Sequence, residues 1–301
     1  MAGDSRKILI SGASGFIASA LMPVLKADGW DVFQLVRRDP VSLTQVKWDP
    51  SQPVDPESVS GFDAVIHLAG ENIFGLWTAS KKRRILSSRV VGTRNLVYAL
   101  AQTSKPPRVM LSASAVGYYG NRGDEILNEG GSRGTGFLAE VCQAWEVSTE
   151  PAAEAGIRVV HPRIGLVLSS TGGALKQMLL PFRLGLGGRL GNGRQWWSWI
   201  DLLDLVGGLI HLLGNDSVRG PVNMVAPNPV TNAEFTKTLA AVLSRPAIFP
   251  VPTFAIRLAL GQMGEELLLA SQRVEPAKLA ASGYQFQSPE LKSALAGILR
   301  Q

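Results

Sequence analysis

The chain has a single cysteine, Cys142, among its 301 residues, which excludes an internal disulfide and any thiolate metal cluster, so no metal centre is expected. Cys142 falls in a helical pattern, where a buried packing role suits it. No apolar run reaches the roughly 18 to 20 residues that a membrane helix needs, so no membrane partner is expected. The N-terminal residues Met1 to Lys7 lead straight into an apolar run and leave no room for a signal peptide. Charge is sparse, with 18% charged against 46% hydrophobic residues, which excludes a disordered chain. The formal net charge is +6, but the 30 lysines and arginines are dispersed apart from Lys81, Lys82, Arg83 and Arg84, so nucleic acid is not an expected partner. Internal repeats and low-complexity linkers are also missing. What remains is a cytoplasmic enzyme or binding protein for a small molecule.

Glycine is plentiful, and its first cluster organises the rest. Lys-Ile-Leu-Ile-Ser-Gly-Ala-Ser-Gly-Phe-Ile-Ala, Lys7 to Ala18, reads as a buried strand at Ile8 to Ile10, a tight turn and a helix start. Gly12 and Gly15 let the backbone pass close to a bound group, and the amides around Ser14, Phe16 and Ile17 then face an anion. By spacing alone this is a nucleotide site or a plain βα turn; its place at the head of the chain favours the first. Asp31 to Val36 reads as the second strand and ends in Arg37-Arg38. An acid at that point suits a free ribose 2′-hydroxyl, whereas arginine suits a 2′-phosphate, so NADP(H) is favoured over NAD. The alternative is that both are surface charges, with Arg37 paired to Asp39.

Further on, Val46 to Trp48 reads as a short strand and Phe62 to His67 as a buried parallel one. The latter ends in Leu68, Ala69 and Gly70, small enough at the edge for a cofactor to lie against the backbone, with Glu71 and Asn72 just beyond. Ala79 to Ala101 forms a long crossover helix that carries Arg89 towards the same edge. Arg108 to Ser112 is the next strand, and Ser114, Tyr118 and Tyr119 cluster hydroxyls at its C-terminal end, where open α/β sheets bind ligands. A loop from Gly120 to Gly136 precedes a helix from Phe137 to Ala155. Arg158 to Leu168 is β-like, interrupted by Pro162 and Gly165, and carries Arg163. Gly172 to Trp199 is glycine-dense and holds Trp196, Trp197 and Trp199, which predicts a loop-rich lobe whose aromatic wall serves packing or ligand contact. Asp204 reads as a helix-start residue for Leu202 to Leu213, Val222 to Val225 as a last strand, and Thr231 with Glu234 as a capping box. The fold class is α/β, a Rossmann-type doubly wound parallel sheet with a smaller C-terminal lobe.

Six runs carry a resemblance over nearly the whole chain: Gly12-Ala-Ser-Gly-Phe-Ile, His67-Leu-Ala-Gly-Glu-Asn, Ser112-Ala-Ser-Ala-Val-Gly-Tyr-Tyr-Gly, Leu180-Pro-Phe-Arg-Leu-Gly-Leu-Gly-Gly, Gly193-Arg-Gln-Trp-Trp-Ser-Trp-Ile and Val225-Ala-Pro-Asn-Pro-Val-Thr-Asn. The chain resembles the extended short-chain dehydrogenase/reductase superfamily and, within it, the NAD-dependent epimerase/dehydratase group. More closely it is similar to the "epimerase family protein" subgroup, which has a C-terminal domain of unknown function. The resemblance implies a dinucleotide-binding domain over residues 1–170, rejoined by 202–226. A substrate lobe follows from 171–201 and 227–301, with a family-specific region from about residue 249. It also implies an NADP(H) cofactor, a small-molecule substrate in a cleft near Glu71, Asn72, Arg163, Trp196 and Trp197, and homodimers paired through the two long helices.

The superfamily's Tyr-x-x-x-Lys pair is missing. Four positions beyond Tyr98, Tyr118, Tyr119 and Tyr284 stand Gln102, Arg122, Gly123 and Ser288, and the superfamily's two positions fall near Leu138 and Cys142. Ser114 matches the catalytic serine. Two readings follow: an oxidoreductase or epimerase-like enzyme using Ser114 with Tyr118 or Tyr119, or a non-catalytic cofactor-binding sensor or scaffold. The retained hydroxyls favour the enzyme.

Overall fold

The computed structural model describes residues 6–300. The chain opens with β1 (Arg6–Ser11), α1 (Phe16–Ala27), β2 (Trp30–Val36), β3 (Gln45–Lys47) and β4 (Ala64–His67). Next come α2 (Ala79–Gln102), β5 (Val109–Ser112), β6 (Ser114–Ala115), β7 (Ile126–Leu127), α3 (Phe137–Val147), α4 (Glu150–Glu154), β8 (Arg158–Ile164) and β9 (Leu166–Leu168). The second half adds α5 (Gly173–Arg183), β10 (Trp196–Trp197), β11 (Trp199–Asp201), α6 (Leu202–Gly214), β12 (Gly220–Met224), β13 (Val230–Thr231) and α7 (Asn232–Leu243). It closes with α8 (Thr253–Gly264), a π-helical turn at Glu265–Leu269, β14 (Arg273–Val274), α9 (Ala277–Ala281) and α10 (Leu291–Arg300). Among the described residues no helix is long and apolar enough to cross a membrane.

The main sheet runs β12-β8-β5-β4-β1-β2-β3, with β6 also paired to β8, and every pairing in it is parallel. The strand order reverses between β1 and β4, and the crevice outside that switch point is where such sheets hold ligands. Both faces are buried, which is why the strands read as continuous apolar runs. Ile8 and Ile10 point to a core closed by α1 and by Leu205, Leu209 and Leu212 of α6. Leu9 points the other way, onto Leu96, Val97 and Leu100 of α2 and Ala152 of α4. A separate core joins α5, α7 and α10 around Trp199, Phe235 and Leu295 and builds the second lobe.

Several expectations need correction. The helix expected from Phe137 to Ala155 breaks after Val147, because the Ser148 and Thr149 hydroxyls donate to the carbonyls of Trp145 and Glu146 and Pro151 starts a new turn. Pro162 does not interrupt its strand: it lies where β5 has ended and β6 has not begun, so no partner strand on that side loses a bond. Gly165 does break it: the chain changes partner there, from β12 at Ile164 to β11 at Leu166, and the Ser198 carbonyl oxygen lies 2.5 Å from where a Cβ would stand. The stretch expected to be loop-rich contains α5, whose Leu175, Leu179 and Phe182 are buried at helical spacing despite Pro181. Within the expected loop Gly120 to Gly136, β7 pairs with β14. Asp201, not Asp204, caps α6, accepting from the Leu203 amide at 2.8 Å. Asp204 is fully buried and anchors the C-terminal tail, accepting from the Tyr284 hydroxyl and from the amides of Gln287 and Ser288.

Candidate functional site

A cavity of about 460 Å³ opens at the C-terminal ends of β1, β4 and β5 and extends between the two lobes. Its first wall is the glycine turn. Gly12 has φ +70°, and a Cβ there would stand 2.9 Å from the backbone of Leu68 and Ala69, so only glycine lets β1 and the β4 edge approach this closely. Gly15 is the N-cap of α1 and supplies no side-chain oxygen, which leaves the amides of the first turn at Phe16 and Ile17 without intrahelical partners beside the cavity. Ser14 is exposed at the tip of the turn.

A buried polar chain fixes the floor. Ser11 Oγ accepts from the amides of Leu68 and Ala69, each at 3.2 Å, which occupies its lone pairs and directs its proton to His67 Nδ1 at 2.6 Å. His67 Nε2–H then donates to Thr93 Oγ1 at 2.9 Å, which also accepts from Trp145 Nε1 at 3.0 Å. Burial, and next to it the Arg89 charge, lower the His67 pKa to about 4. His67 therefore ties β1, β4, α2 and α3 together as a neutral imidazole. Because the folded pKa lies below the unfolded value, the unfolded chain takes up the proton first. The stability held above about pH 6.5 is lost as pH falls towards 4, by at most about 3 kcal/mol. Urea melts from pH 7 to pH 4.5 should show this slope in the wild type and a shallower one in His67→Gln; equal slopes would assign the pH dependence to other groups.

Arg89 is the charged group of the wall. Its Nη1 donates to the carbonyls of Glu71 at 3.0 Å and Ile85 at 3.3 Å, and its guanidinium lies 5.0 Å from the Trp145 ring centroid. No carboxylate pairs with it among the described residues, and burial lowers its pKa. Gly70 packs against it, and a Cβ there would stand 3.1 Å from the guanidinium carbon, so a larger residue would make the Arg89 side chain shift. A half-buried cation without a counter-ion favours an anionic ligand. Arg37 and Arg38 are exposed at the end of β2, and among the described residues neither has an ion pair; Asp39 binds Lys47 instead of Arg37.

Ser114 lines the opposite wall, and its hydroxyl donates to Glu146 Oε1 at 2.6 Å. Arg163 grips the same carboxylate through Nε and Nη2, both at 2.8 Å, and its Nη1 donates to the Tyr119 hydroxyl at 3.0 Å. The Glu146 carboxylate holds the Arg163 pKa above its usual value against the opposing effect of burial. The other hydroxyls expected at the site do not reach the cavity. Tyr119 is fully buried, its hydroxyl engaged with Asn223 Oδ1 and the Asn128 carbonyl, and burial raises its pKa. Tyr118 does not line the cavity, and the Arg163 guanidinium stacks 3.5 Å from its ring centroid. Arg163 itself lies behind Ser114 and not in the cleft.

Glu71 and Asn72 are also displaced from the cleft. Glu71 pairs with Lys81 at 2.8 Å and Arg84 at 3.5 Å, whose hydrogen bonds and charges lower its pKa, and Asn72 closes a local turn by accepting from the Phe74 amide. Trp196 and Trp197 do line the cavity, the first held by Asp124 and the second packed on Phe235. On α3 the cavity face presents Leu138 and Cys142, one turn apart, with burial raising the thiol pKa to about 11. Glu266, from the π-helical turn, lines the same wall and accepts from the Phe137 and Leu138 amides at 3.0 and 2.8 Å, capping a helix that has no cap of its own. Sequence reasoning missed Glu146 and Glu266. The first sits one turn beyond Cys142 and was accessible from helical spacing; the second lies 128 residues from the amide it caps and leaves no local signal.

A glycine turn beneath a helix start, at the switch point of a parallel sheet and facing a serine on the next strand end, is the arrangement of a dinucleotide-binding Rossmann fold. Residues 8–225 match the "NAD dependent epimerase/dehydratase family", and residues 251–298 match a domain of unknown function, DUF1731. The chain belongs to the NAD dependent epimerase/dehydratase family. It is 42% identical to an epimerase family protein of Mycobacterium leprae over 98% of this chain and 97% of that protein. It is 36% identical to the epimerase family protein SDR39U1 of Bos taurus, over 97% of this chain and 99% of that one. The crystal structure of human SDR39U1 with NADPH superposes with a TM-score of 0.90 at 35% identity, covering 98% of this chain and 99% of that one.

Proposed function

We propose that the chain is a cytoplasmic NADP(H)-dependent oxidoreductase or epimerase-like enzyme acting on a small molecule in the cleft between its lobes. The observation that carries this reading is Ser114, placed on the cavity across from the glycine turn with its proton committed to Glu146. The residues present fit the cofactor. Gly12 gives the close approach, the amides at Phe16 and Ile17 and the Arg89 guanidinium offer donors to a pyrophosphate, and Leu68, Ala69 and Gly70 form the flat edge beside it. Arg37 and Arg38, exposed at the end of β2, are suited to a 2′-phosphate, and the solved human relative was crystallised with NADPH.

When bound, the nicotinamide supplies or accepts hydride. In the oxidising direction a substrate hydroxyl would give its proton to Ser114 Oγ as Ser114 passes its own to the Glu146 carboxylate; in the reducing direction a protonated Glu146 would return a proton to Ser114 Oγ as Ser114 gives its own to the alkoxide that hydride addition leaves. Glu146 thus stands in for Tyr118 and Tyr119 as the group that exchanges a proton through Ser114. Cofactor binding without turnover, as in a sensor, is the second reading, and it is favoured by Leu138 and Cys142, neither of which exchanges a proton at neutral pH. Steady NADPH oxidation across a panel of carbonyl compounds separates the two.

The cofactor preference has its own test. Arg37→Ala with Arg38→Ala should weaken NADPH binding by about 1.5–3 kcal/mol for each charge-assisted hydrogen bond to the 2′-phosphate and leave NADH binding nearly unchanged in fluorescence titrations. Equal weakening of both would assign the pair a general electrostatic role.

A further inference from the structure

The second lobe exposes large apolar side chains that the cleft does not use. Leu180 on α5 and Leu184 just past its end are exposed one turn apart, and exposed Leu186 follows them. The strand-like segment after α5 pairs with 248–251: the Phe249 amide donates to the Gly187 carbonyl, the Val251 amide to Arg189, and the Gly191 amide to Val251. That pairing sets exposed Ile248 and Phe249 beside Leu186 and leads into α8, where Phe254 is 72% and Leu258 86% exposed. Isolated exposed leucines are ordinary, but seven large apolar side chains exposed on three segments of one lobe, two of the segments joined by backbone hydrogen bonds, are not.

The rim of this face is basic. The Arg245 Nε donates to the Arg183 backbone carbonyl at 3.0 Å, which holds the Arg245 side chain against the C-terminal end of α5. Arg189 and Lys237 line a hollow of about 390 Å³ together with Ile248 and Pro250. Among the described residues, none of Arg183, Arg189, Lys237 and Arg245 pairs with a carboxylate; Glu265 is engaged by Arg257 at 2.9 Å. Two copies meeting through this face about a two-fold axis would bring two basic rims together, with no carboxylate among the described residues paired to Arg183, Arg189, Lys237 or Arg245 to offset them. A surface that is apolar in its depth and anionic at its boundary complements both features.

We propose that this face of the C-terminal lobe docks the protein peripherally on an anionic lipid bilayer, with Phe254 and Leu258 entering the headgroup boundary and Arg189 and Lys237 binding lipid phosphates. The contact requires no spanning helix.

Flotation of the full chain with vesicles tests it, using phosphatidylcholine alone and an equal mixture of phosphatidylcholine and phosphatidylglycerol. Recovery with the mixed vesicles should be on the order of tenfold higher and should fall with salt. Phe254→Asp with Leu258→Asp, and separately Arg189→Ser with Lys237→Ser, should each reduce it several-fold while melting temperature and NADPH binding stay at wild-type values. Absence of flotation, or undiminished flotation of either folded variant, overturns the proposal. So does a concentration-dependent dimer in sedimentation velocity that Phe254→Asp with Leu258→Asp dissolves without any vesicle binding, which would give the face to a second copy of the chain.

Discussion

Gly12→Ala should lower NADPH affinity on the order of a hundredfold, about 2.7 kcal/mol, and destabilise the fold by about 1–3 kcal/mol through backbone strain. Two costs coincide at this residue. The backbone conformation, φ +70°, disfavours any side chain, and the new methyl would stand 2.9 Å from Leu68 and Ala69, which are backbone atoms that cannot swing aside. Relief requires the turn to lift from the β4 edge, and the amides at the start of α1 then leave the position that faces the cavity. Gly29→Ala separates the contributions. Gly29 has φ +80° but open space around its Cβ direction, so that variant should show the strain alone, with NADPH affinity unchanged. Titration of NADPH alongside urea melts of both variants checks the pair.

Arg163→Met should cost about 3–5 kcal/mol of stability, read from urea melts. The guanidinium is 3% exposed and supplies two bonds to Glu146 and one to Tyr119. Without it, Glu146 is left as a nearly buried carboxylate whose remaining partner is the Ser114 hydroxyl. Replacing Glu146 by Met in the same chain should recover part of the loss, since an apolar pair avoids the stranded charge. If the single variant melts like the wild type, the pair is not the support for Ser114 described here.

Much of the fold was legible because parallel strands buried on both faces announce themselves as apolar runs, as at Ile8 to Ile10 and Ala64 to His67. The glycine turn was legible for a similar local reason: Gly12 and Gly15 sit between a strand and a helix start. The second lobe was obscured. Leu175, Leu179 and Phe182 keep helical spacing, but glycines at both ends and Pro181 inside mask it. The candidate site was legible only in part. Ser114 and the absence of a Tyr-x-x-x-Lys pair follow from local motifs, whereas the choice among hydroxyls depends on which way a short turn rotates. The 3-10 turn Val116–Tyr119 carries Tyr119 inward to Asn223, 104 residues away, and this pairing leaves no mark near either residue. Glu71 failed for a comparable reason: Lys81 and Arg84 on α2 turn its carboxylate away from the cleft.

The central claim is that Ser114, backed by Glu146, handles the substrate oxygen while a nicotinamide exchanges hydride in the same cleft. The most direct measurement is transfer of deuterium from C4-deuterated NADPH to carbonyl compounds, followed by mass spectrometry of the products for wild type and Ser114→Ala. The account predicts deuterated alcohol from the wild type and a drop on the order of a hundredfold or more in Ser114→Ala, within the range that loss of a proton-handling group produces, at unchanged NADPH affinity. Tight NADPH binding with no deuterium transfer to any carbonyl, or transfer that Ser114→Ala leaves intact, would contradict it.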